Sequence, residues 1–425
     1  MGASMSSTRK AGLLGTFALL ALLRGGPPLL LGPRHPAPLG GHAVGALRAR
    51  LPVAGGGGRG LLAQVHYPAE PSGDRFETRE FEYFRPEVVR AIAEGYNIPR
   101  PLLSALLEGR AQVDASRLPK RREDGRGWPV AIFSSGLWGS CEMYTQLCRE
   151  LAAAGAVVVA LEHEDGSGIV AYDRRTGEAI DYLEQPQWPY DTVAFNEPFL
   201  QRRAQDLEMT VEGLKACASG QAAAGEAEAE AAVAAVVRCC DPEQLVLVGH
   251  SFGSASVLHC LRQLAAGSWQ PSLRGALLLD LWPAPLSGDS SGADFEGIGA
   301  ELRTPFVLLQ SEFWEGLEWY TPSCRRLARA ARDRCLAAGV VRGAFHHWVS
   351  DTHLWAPSWI LRAMKLMGPG EYQRVHRATV RALHASLHAL LEPGGPEAKA
   401  ALRGRLACID PGVLELVEQD GQSRL

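Results

Sequence analysis

The chain has 425 residues, 46% of them hydrophobic, which suits one large α/β domain or two ordinary ones and is normal for a soluble globular enzyme. Its formal net charge of −4 is small and spread along the chain, so no basic field points to nucleic acid as a partner. Nine cysteines without C-x-x-C spacing, and the lack of any N-x-S/T sequon, lean towards free thiols in a reducing compartment.

Residues 1–31 read as a membrane-targeting segment. Met1-Gly2-Ala3-Ser4-Met5-Ser6 fits the N-myristoylation pattern on Gly2, with Arg9 and Lys10 downstream to assist a single acyl chain. The rival reading is a signal peptide, since Ala11 to Leu23 is an apolar run of h-region size, although no clear cleavage site follows. The first reading places the protein in the cytoplasm at a membrane, the second outside the cell. Residues 24–60, rich in Gly, Pro and Arg, read as a loose approach to a first strand at Leu61 to Tyr67. A catalytic domain is expected over 32–392. Pro99 to Gly109 is predicted as a helix with Leu102, Leu103, Leu106 and Leu107 on one face. Strands at 130–133 and 157–161 then alternate with helices at 143–153 and 201–217, which predicts a mostly parallel central sheet with helices on both faces. Residues 220–235, nearly all Ala, Glu and Gly, read as a low-complexity helical insertion, and 393–425 as a polar tail.

Gly249-His250-Ser251-Phe252-Gly253 is fed by the apolar run Leu245 to Val248 and followed by small residues from Ser254. A serine on such a strand-to-helix turn is strained and exposed, and the flanking glycines let strand and helix backbones pass beside it. This is the pattern of a nucleophile elbow and of the α/β-hydrolase fold. A second G-x-S-x-G, Gly288 to Gly292, follows Pro283 and Pro285 instead of a strand and reads as a surface loop. A serine hydroxyl needs a base and the base an orienting carboxylate, in the chain order Ser, acid, His, each at a strand end. Asp280 closes the run Ala276 to Leu279 and fits the acid. The run Val340 to Phe345 ends at His346 and His347, with His353 a turn further on, and chemistry alone does not choose among the three. Acyl transfer also needs two preorganised N–H donors. The amide of Phe252 is one, and the loop Ser134 to Gly139 offers the second, best at Leu137. No H-E-x-x-H, paired-cysteine, phosphate-loop or dinucleotide pattern occurs, and Glu162-His163-Glu164-Asp165 is a lone acidic cluster, so neither a metal nor a cofactor is expected.

Seven ordered blocks over roughly 32–392 resemble the platelet-activating-factor acetylhydrolases, the group VII and VIII phospholipases A2. They are Phe133-Ser134-Ser135-Gly136-Leu137, Glu162 to Gly168, Asn196-Glu197 with Gln201-Arg202-Arg203, the elbow with Ser254-Ala255, Leu279-Asp280-Leu281-Trp282-Pro283, Gln310-Ser311-Glu312-Phe313, and Gly343-Ala344-Phe345-His346 with Asp351. The resemblance implies His346 as base, Ser251 as nucleophile, Asp280 as orienting acid, and the amides of Leu137 and Phe252 as oxyanion donors. It implies calcium-independent hydrolysis of short or oxidised sn-2 acyl chains of phosphatidylcholine-like lipids at a membrane or lipid-particle surface. It also supports lipidation of Gly2, since the family's intracellular form is myristoylated. Two stretches suit the implied interface: the Leu102, Leu103, Leu106, Leu107 face, and Trp355, Trp359, Ile360, Met364 and Met367 at helical spacing. Two positions depart from the family: Ser135 stands where it has histidine, and Glu164 where it has arginine. They motivate an alternative, a hydrolase-like lipid-binding protein with little turnover; a general carboxylesterase is the other.

Overall fold

The computed structural model describes residues 35–417 apart from 55–58, 71–78, 108–109, 114–116, 188, 223–226, 268, 270, 290, 318–319, 356–357 and 393–394. The chain forms two compact units. The smaller, residues 80–112 with His35, contains helices Pro86–Tyr96 and Arg100–Leu107. The first opens on a proline, whose missing N–H costs nothing at a helix start, and stops at left-handed Asn97. Its Val88, Val89, Ile92 and Ala93 are buried along one stripe.

The larger unit is built on a nine-stranded sheet. Its strands are β1 (Val44–Arg50), β2 (Leu62–Pro68), β3 (Trp128–Ser134), β4 (Val157–Leu161), β5 (Cys240–His250), β6 (Leu273–Leu279), β7 (Phe306–Ser311), β8 (Cys335–Val341) and β9 (Leu414–Leu416), in the order β1-β2-β4-β3-β5-β6-β7-β8-β9. The six strands from β4 to β8 are parallel; β1, β2 and β9 run antiparallel to their neighbours. Parallel strands are covered on both faces, which is why β4, β7 and β8 are buried along their whole length. Side chains alternate: Leu245 and Leu247 of β5 join Val130, Ile132, Ala276 and Leu278 in one core cluster, while Val246 and Val248 are buried on the other face.

The main helices are α1 (Thr145–Ala153), α2 (Thr192–Ala218), α3 (Glu228–Arg238), α4 (Phe252–Ala265), α5 (Asp294–Glu301), α6 (Thr321–Ala330), α7 (Tyr372–Leu391) and α8 (Pro396–Ala407). Helices α2 to α6 pack in series, and α1, α7 and α8 form a second group.

Four expectations are corrected. Strand β1 lies inside the stretch read as a loose approach, where Gly, Pro and Arg masked its alternation; Arg48 and Arg50 reach back to Gln64 and Glu164. The supposed insertion at 220–235 leads into α3, whose Val233, Ala234, Val236 and Val237 belong to the core. Strand β8 ends at Val341, not at Phe345, because Gly343 (φ +78°) turns the chain. The tail at 393–425 contains α8, with Leu402 and Leu406 buried, and β9, which pairs with β8. Ala-rich and polar composition lowers hydrophobic contrast, so short buried stripes in these segments gave little periodic signal.

Candidate active site

The carboxyl ends of β3, β5, β6, β7 and β8 converge on Ser251. Strand β5 delivers it at φ +56° and ψ −119°, and α4 begins at the next residue. Glycine is obligatory on both sides: a Cβ on Gly249 would lie 2.4 Å from the carbonyl oxygen of Gly253, and one on Gly253 2.0 Å from that of Ser134. The Ser251 N–H donates to the carbonyl of Leu279 at 2.9 Å. Beneath it the Ser254 hydroxyl donates to the carbonyl of Gly249 at 2.6 Å and accepts the Leu279 N–H at 2.9 Å, tying the elbow to β6.

Of the three candidate histidines, His346 is the one whose ring nitrogens reach both partners. Nε2 lies 3.0 Å from Ser251 Oγ and Nδ1 3.0 Å from Asp280 Oδ2. His347 packs edge-on to it at 5.7 Å, and His353 is held apart, bonded through Nδ1 to the Ser350 carbonyl at 2.7 Å and stacked on Tyr372 at 4.5 Å. Asp280 is fully buried and accepts the Ser311 N–H at 2.5 Å and the Ser311 hydroxyl at 2.7 Å. The indole of Trp314 stacks on the His346 ring, centroids 3.9 Å apart and planes 11° off parallel, and its Nε1–H donates to the carbonyl of Leu281 at 2.8 Å. A cation on that indole face gains roughly 0.5–2 kcal/mol, so the stack favours the imidazolium that forms when His346 takes a proton. At rest the ring is neutral, because burial pushes it down to about 3. Burial also pushes Asp280 up to about 6, against the opposing pull of the Ser311 donors. Asp351, five residues past His346, caps α1: its carboxylate accepts the Thr145 N–H at 3.0 Å and the Gln146 N–H at 2.9 Å.

The loop after β3 lies against the elbow, since a Cβ on Gly136 would sit 3.1 Å from Ser251 Cβ. Phe252 is the first residue of α4, a position whose N–H has no intrahelical acceptor. Leu137 follows Gly136 in the turn closed by the Gly139 N–H on the Gly136 carbonyl at 3.2 Å.

A buried ionic network supports this loop. Arg203, on α2, has no exposure. Its Nε donates to Asp165 at 2.9 Å, Nη2 to Ser167 Oγ at 2.7 Å, and Nη1 to the Ser135 carbonyl at 2.5 Å, while Cζ lies 4.8 Å over the ring of Phe252. One guanidinium thus touches both the loop after β3 and the residue that follows Ser251. Burial is the largest single influence on Asp165 and opposes its ionisation, but the Arg203 charge, His163 and the two Ser167 hydrogen bonds together hold that carboxyl below its usual range. His163 bridges Ser134 Oγ at 2.9 Å and Asp206 at 3.1 Å. The departure at Glu164 is answered locally, its buried carboxylate being paired with Arg50 at 3.0 Å and Arg174 at 3.3 Å. Ser135 contributes a carbonyl, which any side chain would leave in place. Arg203→Met is expected to strand Asp165 and cost about 3–5 kcal/mol of stability, measured by urea unfolding. Arg203→Lys should recover only part, since an ammonium lacks the planar fork; a full recovery would mean that charge alone matters.

Among the described residues, ligand-type atoms converge within 4.8 Å in two clusters. One is His250, Asp280 and His346 around the serine. The other, Cys141, Glu142 and Glu162, is buried, and Arg48 already brings a positive charge to 3.6 Å from Glu142.

The residues expected at a lipid interface differ in their exposure. Leu103 and Leu107 are buried, and the side chains of Leu102 and Leu106 lie outside the described residues. Trp355 and Trp359 sit on separate short helices, Thr352–Trp355 and Ser358–Ala363; Ile360 is buried, Met364 and Met367 fall in the turn beyond, and Trp359 is 54% exposed. Phe313, 41% exposed and packed on Phe345 next to His346 in the chain, was not anticipated. Gly2 lies outside the described residues. Arg203, Trp314, Tyr144 and His250 were also missed. Arg203 left the clearest trace, a cation among Phe199, Leu200, Ala204 and Leu207 on the apolar side of a helix.

A mostly parallel sheet bearing a strained serine between a strand end and a helix start defines the chain as an α/β-hydrolase. The family model described as platelet-activating factor acetylhydrolase, isoform II, matches residues 33–393, and the chain belongs to that family of lipid-ester hydrolases. It is 22% identical over 358 residues to a protein named platelet-activating factor acetylhydrolase from Gallus gallus, covering 79% of each chain. It is 24% identical over 250 residues to one of the same name from Cavia porcellus, covering 58% of this chain and 53% of that one. A solved ferulic acid esterase from Streptomyces cinnamoneus shares the fold, with a TM-score of 0.54 at 18% identity over 87% of this chain and 98% of the other.

Proposed function

We propose that the protein is a calcium-independent serine hydrolase that cleaves short or oxidised sn-2 acyl chains from phosphatidylcholine-like lipids. The observation that carries this reading is His346 standing 3.0 Å from both Ser251 Oγ and Asp280 Oδ2, in a chain of the acetylhydrolase family. His346 Nε2 takes the Ser251 proton as Oγ bonds the sn-2 carbonyl carbon. The oxyanion is held by the amides of Leu137 and Phe252, and the imidazolium returns its proton to the departing sn-2 oxygen, releasing lysophospholipid. Water, deprotonated by His346, then adds to the acyl-serine carbonyl carbon, and collapse breaks the acyl–Oγ bond, the imidazolium returning its proton to Ser251 Oγ as the carboxylic acid leaves. Asp280 keeps the proton on Nδ1, so Nε2 stays free to accept. The substrate side is a membrane or lipid-particle surface, with Phe313 and Trp359 as apolar contacts. The Met1 to Ser6 pattern supports attachment in the cytoplasm through a myristoyl group on Gly2, with secretion through residues 9–31 the other route.

The test is hydrolysis of two phosphatidylcholines, one with an sn-2 acetyl and one with a long sn-2 acyl chain, with calcium chelated and Ser251 labelling by an organophosphate followed by mass spectrometry. Selective cleavage of the acetyl lipid, with a single label on Ser251, is expected. Equal cleavage of both would make the protein a broader lipase. No cleavage and no label on folded protein would favour the lipid-binding alternative.

A further inference from the structure

Three hydrogen bonds run head to tail from one side of Ser251 to the other. The Gly136 N–H donates to the Tyr144 hydroxyl at 3.3 Å, that hydroxyl lies 2.9 Å from His250 Nδ1, and His250 Nε2 lies 2.9 Å from the main-chain carbonyl oxygen of His346. The proton count leaves one arrangement for neutral groups. A carbonyl only accepts, so His250 Nε2 carries the proton; Nδ1 then accepts from the Tyr144 O–H, whose oxygen is free to accept from Gly136. Burial, with the charge of a protonated His346 adding to it, holds His250 well below the usual histidine range, and burial raises Tyr144, so both stay neutral. Both rings are buried and packed, Tyr144 on Phe133 at 4.6 Å and His250 on the His346 ring at 4.7 Å.

We infer that Tyr144 and His250 are positioning residues that lock the oxyanion loop and the base-carrying turn into one register. One end of the chain of bonds is the peptide preceding the Leu137 amide. The other is the backbone of His346 itself. Strands β3 and β8 that deliver these segments are not neighbours, and the relay spans the β5, β6 and β7 ends between them. Each bond polarises the next, so the unit is stiffer than its separate parts. The inference rests on Ser251 being the nucleophile.

Three variants and one spectrum test it. Tyr144→Phe keeps the ring but removes the central hydroxyl. His250→Gln can still donate towards the His346 carbonyl, and His250→Asn can still accept from Tyr144, so each keeps only half of the relay. By analogy with the groups that orient metal-ligating histidines, such partners are worth about 10–100-fold. Each variant is therefore expected to lose kcat on that scale, with KM for the ester within about twofold, and Tyr144→Phe combined with His250→Gln should be no slower than the worse single change. Wild-type kcat in folded His250→Gln, or a double variant as slow as the product of the singles, would overturn the relay. Nitrogen-15 NMR of the His250 ring in the wild type needs no variant to fold. The Nε2–H tautomer is expected, and the Nδ1–H tautomer would refute the inference. If ester turnover survives Ser251→Ala, the catalytic reading falls while the tautomer still decides the relay.

Discussion

Ser251→Ala is expected to lower ester turnover about 10⁶-fold while leaving unfolding free energy within about 1 kcal/mol of the wild type. The large loss follows from the proposed chemistry, in which nothing else bonds the acyl carbon. The small stability change follows from the contacts. The Ser251 hydroxyl bonds to His346 Nε2, whereas the backbone carries the rest: its N–H on Leu279, and its carbonyl receiving Ala255 at 3.1 Å and Trp282 at 3.4 Å. Alanine inherits the positive φ and its strain, of order 1–3 kcal/mol. Ser251→Gly should be as inactive yet more stable than Ser251→Ala by about 1 kcal/mol, because glycine adopts φ +56° without penalty. Residual turnover above ~1% in either variant would point to another nucleophile; equal stability of the two would show that the turn is unstrained.

Asp280→Asn is expected to reduce kcat about 10⁴-fold with geometry nearly preserved, since an amide can present an N–H to His346 Nδ1 and turn the imidazole to the tautomer that cannot accept from serine. Its pH behaviour is distinctive. In the fold the Asp280 carboxyl is raised to about 6 by burial, and His346 is lowered to about 3 by the same cause. The acid limb of the wild-type kcat/KM profile should therefore fall near pH 6, as Asp280 protonates and stops accepting from Nδ1, and this limb should be missing from the residual activity of Asp280→Asn. The stability sign is fixed too. A carboxyl raised above its unfolded value of about 3.9 penalises folding once it ionises. That penalty, ~3 kcal/mol, is present above pH 6 and gone below pH 4. Wild type should gain stability relative to Asp280→Asn as pH falls through that window. A gain in the opposite direction would mean that the Ser311 donors outweigh burial.

The elbow was legible because it needs only local chemistry: an apolar run, two glycines flanking a serine, and small residues after it. Asp280 was legible for the same reason, as an acid at the end of four apolar residues. The choice among His346, His347 and His353 was not, because a turn after Gly343 sets which ring faces Ser251, and only the family resemblance singled out His346. Arg203 and Tyr144 lie 48 and 107 residues from the serine in sequence and meet its surroundings only in the fold, so spacing from the serine carried no sign of what they touch. His250 was adjacent to the serine and still unreadable. Its partners, Tyr144 and the carbonyl of His346, are brought to it by tertiary packing. The family departure at Glu164 looked disruptive in sequence because nothing there marks Arg50, 114 residues away, or Arg174, ten residues on, as its partners, yet both close on it in the fold.

Strand β9 bears on how the protein is made. The turn that carries His346 leaves β8, whose outer edge is paired by Leu414–Leu416, and the Arg342 N–H just past β8 donates to the Val413 carbonyl at 2.6 Å. During synthesis, at roughly 5–20 residues per second, the elbow and Asp280 leave the ribosome well before those partners do. A nascent chain therefore exposes Ser251 and Asp280 before the segment at 413–416 that closes the outer edge of β8, so the strand leading to His346 gains its outer neighbour after every other strand of the sheet has been made.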